Sequence, residues 1–267
     1  MSDKTALGDR MKAYERATRS VLPRRAYTIL RVDGRAFHTF LRDAHRPFDR
    51  AVMDAMNGVG AALCEEITGS VFAYVQSDEC SVLMTDFATP SAQPWFGGVT
   101  QKIVSVAASI ATIAFNEAYA TGGVDGRRAT FDARAFTLAD PCEVANYFRW
   151  RQNDCVRNSI TMAAQARFSH RELHGRSTGQ MQEMLWAEHG VNWNDYDAGA
   201  KRGRVVVRET GRREVAYRDG RTGEAETTLV LRSWWQAQAA PRFTAGPDEW
   251  LATVIPAMPS LTAGRIG

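Results

Sequence analysis

The chain has 267 residues, of which 45% are hydrophobic and 24% charged, and its formal net charge at pH 7 is +3. This composition excludes a mainly disordered or fibrous protein, and the length suits one large domain or a domain with a substantial appendage. No apolar run approaches the ~18 residues of a membrane-spanning helix, and the polar start from Met1 to Arg10 does not look like a secretory signal, so we expect a cytoplasmic protein without a membrane partner.

Helix and strand patterns alternate through the first two thirds of the chain. The periodicity predicts a helix over 7–20, a strand over 26–32, a helix over 50–67, strands over 71–75 and 80–84, a helix over 100–119, a strand over 129–136 and a helix over 141–168. From the first strand onward, the order strand, helix, strand, strand, helix, strand is the split βαββαβ arrangement of ferredoxin-like folds. The sequence therefore predicts an α+β domain over residues 1–168.

The remaining residues, 169–267, predict a C-terminal extension packed on the first domain. A polar helix is expected over 177–188, and short strands over 204–209, 214–218 and 227–232. Turns are expected at Glu209 to Gly211 and at Asp219-Gly220. Basic residues cluster here, and this pattern is typical either of a phosphate-binding face or of a solvated hairpin surface. The cluster comprises Lys201, Arg202, Arg204, Arg208, Arg212, Arg213, Arg218 and Arg221.

The four cysteines Cys64, Cys80, Cys142 and Cys155 form no CxxC pair, and no HExxH spacing accompanies them. This arrangement argues against a zinc site. It predicts reduced thiols in the core of an intracellular protein.

Acidic residues lie at two predicted chain reversals. Asp33 ends the first strand before Gly34, and Asp78 and Glu79 occupy the tip between strands two and three. Strands one and three are central neighbours in a βαββαβ sheet, so these carboxylates can meet at one edge, where they would repel one another unless a cation joined them. Mg²⁺ suits such oxygen ligands, and two ions can support nucleotidyl transfer. The alternative is that each acid merely serves a turn.

Sequence blocks around these acids resemble those of the tRNA-His guanylyltransferase family. Residues 31–40 (RVDGRAFHTF) look like the family signature RxDGRxFHxF, and residues 74–81 (YVQSDECS) look like its QSDEYS motif. The blocks 131–135 (FDARA) and 147–154 (YFRWRQND), and the opening at 7–15, also match in order and spacing. The resemblance covers about residues 5 to 170 and is specific, because several blocks agree.

The resemblance implies a polymerase-palm-like domain that adds nucleotides in the 3′-to-5′ direction to the 5′ end of tRNA. Asp33 and Asp78 would ligate two Mg²⁺ ions, with the Gly34 carbonyl as a further ligand, and Glu79 would belong to the same catalytic site. ATP and GTP or another nucleoside triphosphate would be substrates, and relatives suggest a homotetramer. The nucleotide would be held by Asp33, Gly34, Arg35, Ala36, Phe37, His38, Arg46, Ser77, Asp78 and Lys102.

RNA contacts are expected on the predicted helix 141–168 and on the basic hairpin. Arg149, Asn153 and Arg157 fall on one stripe of that helix. We hypothesise that Arg149 and Arg157 hold RNA phosphates near the 5′ end, while more distant RNA backbone is bound by Arg204, Arg212 and Arg213. The alternative is that Arg149 and Arg157 pair with local acids such as Asp154 or Glu143.

One block departs from the eukaryotic pattern. Residues 156–159 (VRNS) stand where eukaryotic members carry His-Ile-Asn-Asn. In this respect the chain resembles bacterial and archaeal guanylyltransferase-like members, which implies template-dependent repair of 5′-truncated tRNA. Untemplated tRNA-His guanylylation, a palm-domain nucleotide cyclase and a non-catalytic RNA-binding module are the alternatives.

Overall fold

The computed structural model describes residues 5–120, 127–218, 220–221, 223–244 and 249–259. In the N-terminal half, the helices and strands are α1 (Ala6–Ala17), β1 (Tyr27–Gly34), α2 (Phe37–Phe40), α3 (Arg50–Glu66), β2 (Ser70–Gln76), β3 (Glu79–Thr85), α4 (Thr100–Ala120) and β4 (Phe131–Leu138). They are followed by α5 (Pro141–Gln165), α6 (His170–Leu173), α7 (Thr178–His189), α8 (Ala198–Arg202), β5 (Arg204–Arg218), β6 (Ala225–Ala239) and α9 (Trp250–Val254).

The strands form one antiparallel sheet in the order β4-β1-β3-β2-β5-β6. Its first four strands have the order of a split βαββαβ unit, as the sequence predicts. The predicted boundary near residue 169 falls between α5 and α6, yet β5 and β6 continue the same sheet beyond β2.

The two faces of the sheet are covered by different helices, because side chains alternate along each strand. On one face, Leu30, Val32 and Val82 pack with residues of α3 and α4. On the other, Tyr27, Ile29 and Leu83 pack with α5 and the C-terminal segment. The second half of α5 forms a third cluster with α6 and α7.

Two caps fix the helices that frame the site. The Asp49 carboxylate accepts a hydrogen bond from the Val52 N–H at the start of α3. The Asp140 carboxylate does the same for the Cys142 N–H, and Pro141 occupies the first turn of α5. Both arrangements satisfy N–H groups that a helix start leaves without a partner.

The C-terminal strands form one long hairpin, and the predicted turn at Glu209 to Gly211 is wrong. Thr210 and Gly211 lie inside β5, opposite Ser233 and Arg232. A side chain at Gly211 would meet the Trp234 ring at 3.0 Å, so glycine here makes room for a cross-strand aromatic. Asp219 of the other predicted turn lies outside the described residues.

Three of the four cysteines are buried, whereas Cys142 is exposed at the start of α5, so the expectation of core thiols is wrong for that residue. In the described part of the chain, no helix has the length and apolarity needed to cross a membrane.

Candidate active site

The acids at the two chain reversals meet at one end of the sheet. Asp33, next to last in β1, lies opposite Glu79 of β3 and opposite Asp132 of β4. The Gly34 N–H donates a hydrogen bond of 3.0 Å to the Asp78 carbonyl. The strand order thus brings together the carboxylates that the sequence predicts to converge.

Asp78 lies in an environment that disfavours its negative charge. Burial raises the pKa of its carboxyl, hydrogen bonds from its own backbone and the Ser77 hydroxyl oppose this rise, and the nearby Asp33 and Glu79 carboxylates add to it. Ser77 has a positive φ of 44°, a strained conformation for a non-glycine residue. A bound cation would relieve the repulsion between these acids.

Glu79 is held by two arginines and offers no free carboxylate. Its two oxygens accept hydrogen bonds of 2.8 and 2.6 Å from Nε and Nη2 of Arg151, and Arg31 Nη1 lies 3.9 Å from Oε2. Ser81 Oγ donates to the same carboxylate at 3.3 Å. The charge of Glu79 is thus compensated and its side chain is held at the start of β3, while its place in the catalytic site remains a prediction.

The donor set that remains fits Mg²⁺. Within the described ranges, no group of three His, Cys, Asp or Glu side chains is arranged to hold a metal ion. Mg²⁺ does not require such a cage, because one or two carboxylates plus substrate phosphates and water suffice. Asp33, Asp78 and the Gly34 carbonyl are therefore the groups that could hold it.

The loop after β1 is folded tightly around Phe37. Ala36 adopts a left-handed conformation with φ 53°, and the Arg35 N–H donates to the Thr130 carbonyl at 2.8 Å. Phe37 is buried, with its ring 5.2 Å from those of Phe115 and Phe131. The loop is thereby fixed next to Asp33.

Replacing Gly34 by alanine should destabilise this loop. The new Cβ would lie 2.2 Å from Phe37 Cδ2, so the buried ring must move. Overpacking of this kind costs about 1–3 kcal/mol, and the displaced loop should also weaken nucleotide binding. Urea unfolding measures the first effect and equilibrium dialysis with GTP the second. The variant Gly58→Ala is the control, because nothing lies within 4 Å of a side chain there; equal stability of the two variants would contradict the prediction.

A cleft of about 400 Å³ opens beside the acids. Its walls come from α2 and the loop after it, the start of α3, the β2–β3 tip, the second half of α5, α8 and β5. The lining residues are Phe37, His38, Leu41, Ala44, His45, Arg46, Pro47, Phe48, Asp49, Val52, Met53, Gln76, Ser77, Asp78, Cys155, Asn158, Ser159, Met162, Gln165, Ala200 and Arg204.

The cleft gathers five of the predicted nucleotide-binding residues: Phe37, His38, Arg46, Ser77 and Asp78. It also includes Met162 and Gln165 of α5, which sequence reasoning missed. Helical periodicity could not have revealed them, because both residues are exposed and the pattern does not distinguish the wall of an open cleft from any other exposed surface.

Lys102 is not among the residues that line this cleft. It lies near the start of α4, roughly 20 Å along the helix from Phe115, which packs beside Phe37 at the site. The contact of Lys102 with nucleotide phosphates remains a prediction that the cleft does not support.

The arginines predicted to bind RNA separate into buried and exposed groups. Arg149 is half-buried and bound to the buried carboxylate of Glu249, so that it holds the C-terminal segment on α5, and its contact with RNA remains a prediction. Arg157 is exposed and pairs with Asp154 at 2.8 Å, which is one of the local ion pairs that the sequence analysis gives as the alternative to RNA binding. Arg212 and Arg213 are exposed on the hairpin, and Arg213 lies 3.9 Å over the Trp234 ring.

Arg204 is only 5% exposed, so it cannot grip distant RNA backbone as predicted. Its Nε donates to Asn57 Oδ1 at 2.8 Å and its Nη1 to the Gly199 carbonyl at 3.3 Å. Burial lowers the pKa of this guanidinium. Arg204 thus joins α3, α8 and β5 at the cleft wall.

Comparison with known proteins gives consistent matches over most of the chain. Residues 8–139 match the family described as tRNAHis guanylyltransferase, and residues 142–230 match the Thg1 C terminal domain. A solved structure of a bacterial tRNA(HIS) guanylyltransferase (Thg1)-like protein in complex with ATP is 39% identical, covers 89% of this chain and 94% of that chain, and has a TM-score of 0.77. A complex of such a bacterial protein with GTP is 37% identical over the same shares, with a TM-score of 0.71. The tRNA(His) guanylyltransferase of Debaryomyces hansenii is 29% identical over 200 residues, 68% of this chain and 74% of that protein.

Proposed function

The chain belongs to the tRNA-His guanylyltransferase family and is a nucleotidyltransferase, and from this premise we propose that it adds nucleotides in the 3′-to-5′ direction to the 5′ end of tRNA, with Mg²⁺ as cofactor. The observation that carries the proposal is the meeting of Asp33 and Asp78 at the edge of a cleft that also contains His38 and Arg46. The central antiparallel βαββαβ sheet supports a palm-like catalytic domain.

Each group of residues has a distinct task in this proposal. Asp33, Asp78 and the Gly34 carbonyl would hold Mg²⁺, which when bound would supply charge stabilisation for the attacking 3′-hydroxyl and for the AMP that leaves the adenylylated 5′ end. Arg46 and His38 would neutralise and orient the triphosphate in the cleft. The backbone N–H groups from Ala36 to His38 would carry further phosphate contacts, since those of Gly34 and Arg35 already donate to protein carbonyls.

ATP and GTP are the proposed nucleotide substrates. The two bacterial neighbours were solved with ATP and with GTP, and the match to this chain covers 94% of each neighbour. By family analogy, the 5′-monophosphate would attack the α-phosphate of ATP and release pyrophosphate. The 3′-hydroxyl of a nucleoside triphosphate would then attack the adenylylated 5′ phosphate, form the new phosphodiester and release AMP. Apolar cleft residues such as Leu41, Val52 and Met162 offer surface for a nucleobase.

We propose template-dependent addition as the preferred reaction. The support is the VRNS block, of which Asn158 and Ser159 line the cleft where eukaryotic members carry a different sequence. Untemplated guanylylation of tRNA-His is the second candidate, since several relatives bear that name. The test compares incorporation of G opposite C with G opposite A on matched truncated tRNAs. Preference for C is expected, and preference for A would favour the second candidate.

The hairpin should contribute phosphate contacts to tRNA binding. Each phosphate contact that is lost reduces by about one the counterions that tRNA binding releases. The variant Arg212→Ala should therefore lower the slope of log affinity against log salt concentration by roughly 1 in magnitude. Filter binding at several salt concentrations measures the slope. Lys102→Ala, at the far end of α4, is the control and should leave it unchanged. An unchanged slope for Arg212→Ala would assign the hairpin surface to solvent.

We also propose a cytoplasmic homotetramer. The exposed apolar residues Leu7, Met11 and Tyr14 on α1 supply a surface that a second subunit could cover. Light scattering of the purified protein gives the mass of the assembly, and a monomer mass would contradict this part of the proposal.

A further inference from the structure

Trp150 presents its indole to solvent beside the candidate active site. Its residue surface is 52% exposed, although it lies within α5 between the half-buried Arg149 and the buried Arg151. The Arg151 guanidinium carbon lies 4.4 Å from the Trp150 ring centroid, and the Tyr147 ring lies 5.9 Å away. These contacts support the indole from the protein side while leaving half of it open.

The supporting arginine connects Trp150 directly to the acids. Arg151 is bonded to Glu79, which lies opposite Asp33 in the sheet and next to Asp78 in the chain. Trp150 is therefore separated from the acidic edge by one arginine and one glutamate. Single exposed tryptophans are common on protein surfaces. Trp150 differs because Arg151 and Glu79 connect it to the edge of the sheet that carries Asp33 and Asp78.

A basic side chain lies along the same surface. The Phe136 ring of β4 packs 5.5 Å from that of Tyr147. From this contact, α5 advances about 4.5 Å to Trp150, and β4, followed back toward Asp132, advances about 7 Å to Arg134. Arg134 is exposed and pairs with Asp132 at 3.2 Å. Both side chains are exposed, so this ion pair contributes little and leaves Arg134 able to bind a phosphate.

The nucleotide cleft occupies the other half of α5. Residues 155, 158, 159 and 162 line it, whereas Trp150 does not. An aromatic face with a nearby cation suits a nucleobase whose phosphate is bound at the cation. The proposed function places the incoming nucleotide in the cleft. The base that binds at the Trp150 surface would therefore belong to the RNA substrate.

We propose that Trp150 is a stacking platform for a nucleobase at the 5′ end of the RNA substrate, with Arg134 binding an adjacent phosphate. This inference rests on the proposed function and names the surface that receives the RNA end. The platform holds the terminal nucleotide beside Asp33 and Asp78, where its 5′ phosphate is attacked.

The test uses the full-length protein and a tRNA lacking its first nucleotide. Trp150→Ala should weaken RNA affinity about 10- to 100-fold, the loss of one stacked base, with no change in the salt slope. Trp150→Leu keeps apolar bulk without a π face and should also weaken binding, whereas Trp150→Phe should restore most of it. Arg134→Ala should lower the salt slope by roughly 1. Trp186→Ala, which removes a tryptophan 64% exposed on α7, should bind RNA like the wild type.

Equilibrium dialysis with GTP and ATP forms the second arm. All three Trp150 variants should bind both nucleotides with wild-type affinity. Wild-type RNA affinity in Trp150→Ala or Trp150→Leu would overturn the proposal. A loss of nucleotide affinity alone would also overturn it, because Trp150 would then stack on the incoming base. Failure of the wild type to extend RNA would reject the proposed function separately, since RNA binding is measured without turnover.

Discussion

Replacing Asp78 by asparagine should abolish nucleotide addition, by about a thousandfold or more, and should leave the fold intact. The variant removes a carboxylate that would help to hold Mg²⁺, and the charge stabilisation lost in the transition state amounts to several kcal/mol. The fold should tolerate the change because the charge of Asp78 is already disfavoured by burial and by Asp33 and Glu79. Asp33→Asn should behave in the same way.

The experiment measures turnover at saturating Mg²⁺ and unfolding in urea for the same preparations. Asp54→Asn provides the matched control, because Asp54 forms an exposed pair with Arg50 on α3 and such pairs contribute little. Near-normal turnover of Asp78→Asn would reject the metal site that we propose at this edge.

Glu79→Gln should have the opposite signature, with a large loss of stability. Glu79 is 6% exposed and compensates Arg151 and Arg31, two largely buried cations. Glutamine has the same shape but no charge, so Arg31 loses its carboxylate partner and Arg151 keeps only its 3.0 Å pair with Asp154. Removing one partner of a buried pair costs about 3–5 kcal/mol. Urea unfolding measures this loss.

The exposed Glu214 of the hairpin is the control position for that experiment. Glu214→Gln should change the free energy of unfolding by less than about 0.5 kcal/mol. If Glu79→Gln were as stable as the wild type but inactive, Glu79 would act on the reaction itself, and its positioning role would be wrong.

The sequence predicts most of the sheet and the meeting of the acids. Strand-forming residues such as those of β1 and β3 identify the strands locally, and the βαββαβ order alone implies that Asp33 and Glu79 become neighbours. Of the Asp33-to-His38 segment, Phe37 and His38 line the cleft, and the role of the whole segment in nucleotide binding remains a prediction.

Several of the differences from the sequence predictions involve partners distant in the chain. Arg149 meets Glu249, one hundred residues later, and Arg204 enters the wall of the cleft through Asn57 and Gly199. Periodicity reports which side of an element is apolar, but it does not report which charged side chain a distant segment will cover. The predicted turn at Gly211 failed for the same reason, because the residue that favours glycine there is Trp234 on the next strand.

Nucleotide addition to the 5′ end of tRNA is measured most directly by incubating the purified protein with ATP, Mg²⁺, each nucleoside triphosphate in turn, and a 5′-labelled tRNA that lacks its first nucleotide. We predict RNA lengthened at its 5′ end by the wild type and none by Asp78→Asn. Absence of extension with every nucleotide, or a cyclic nucleotide formed from the triphosphate without RNA, would contradict the assignment.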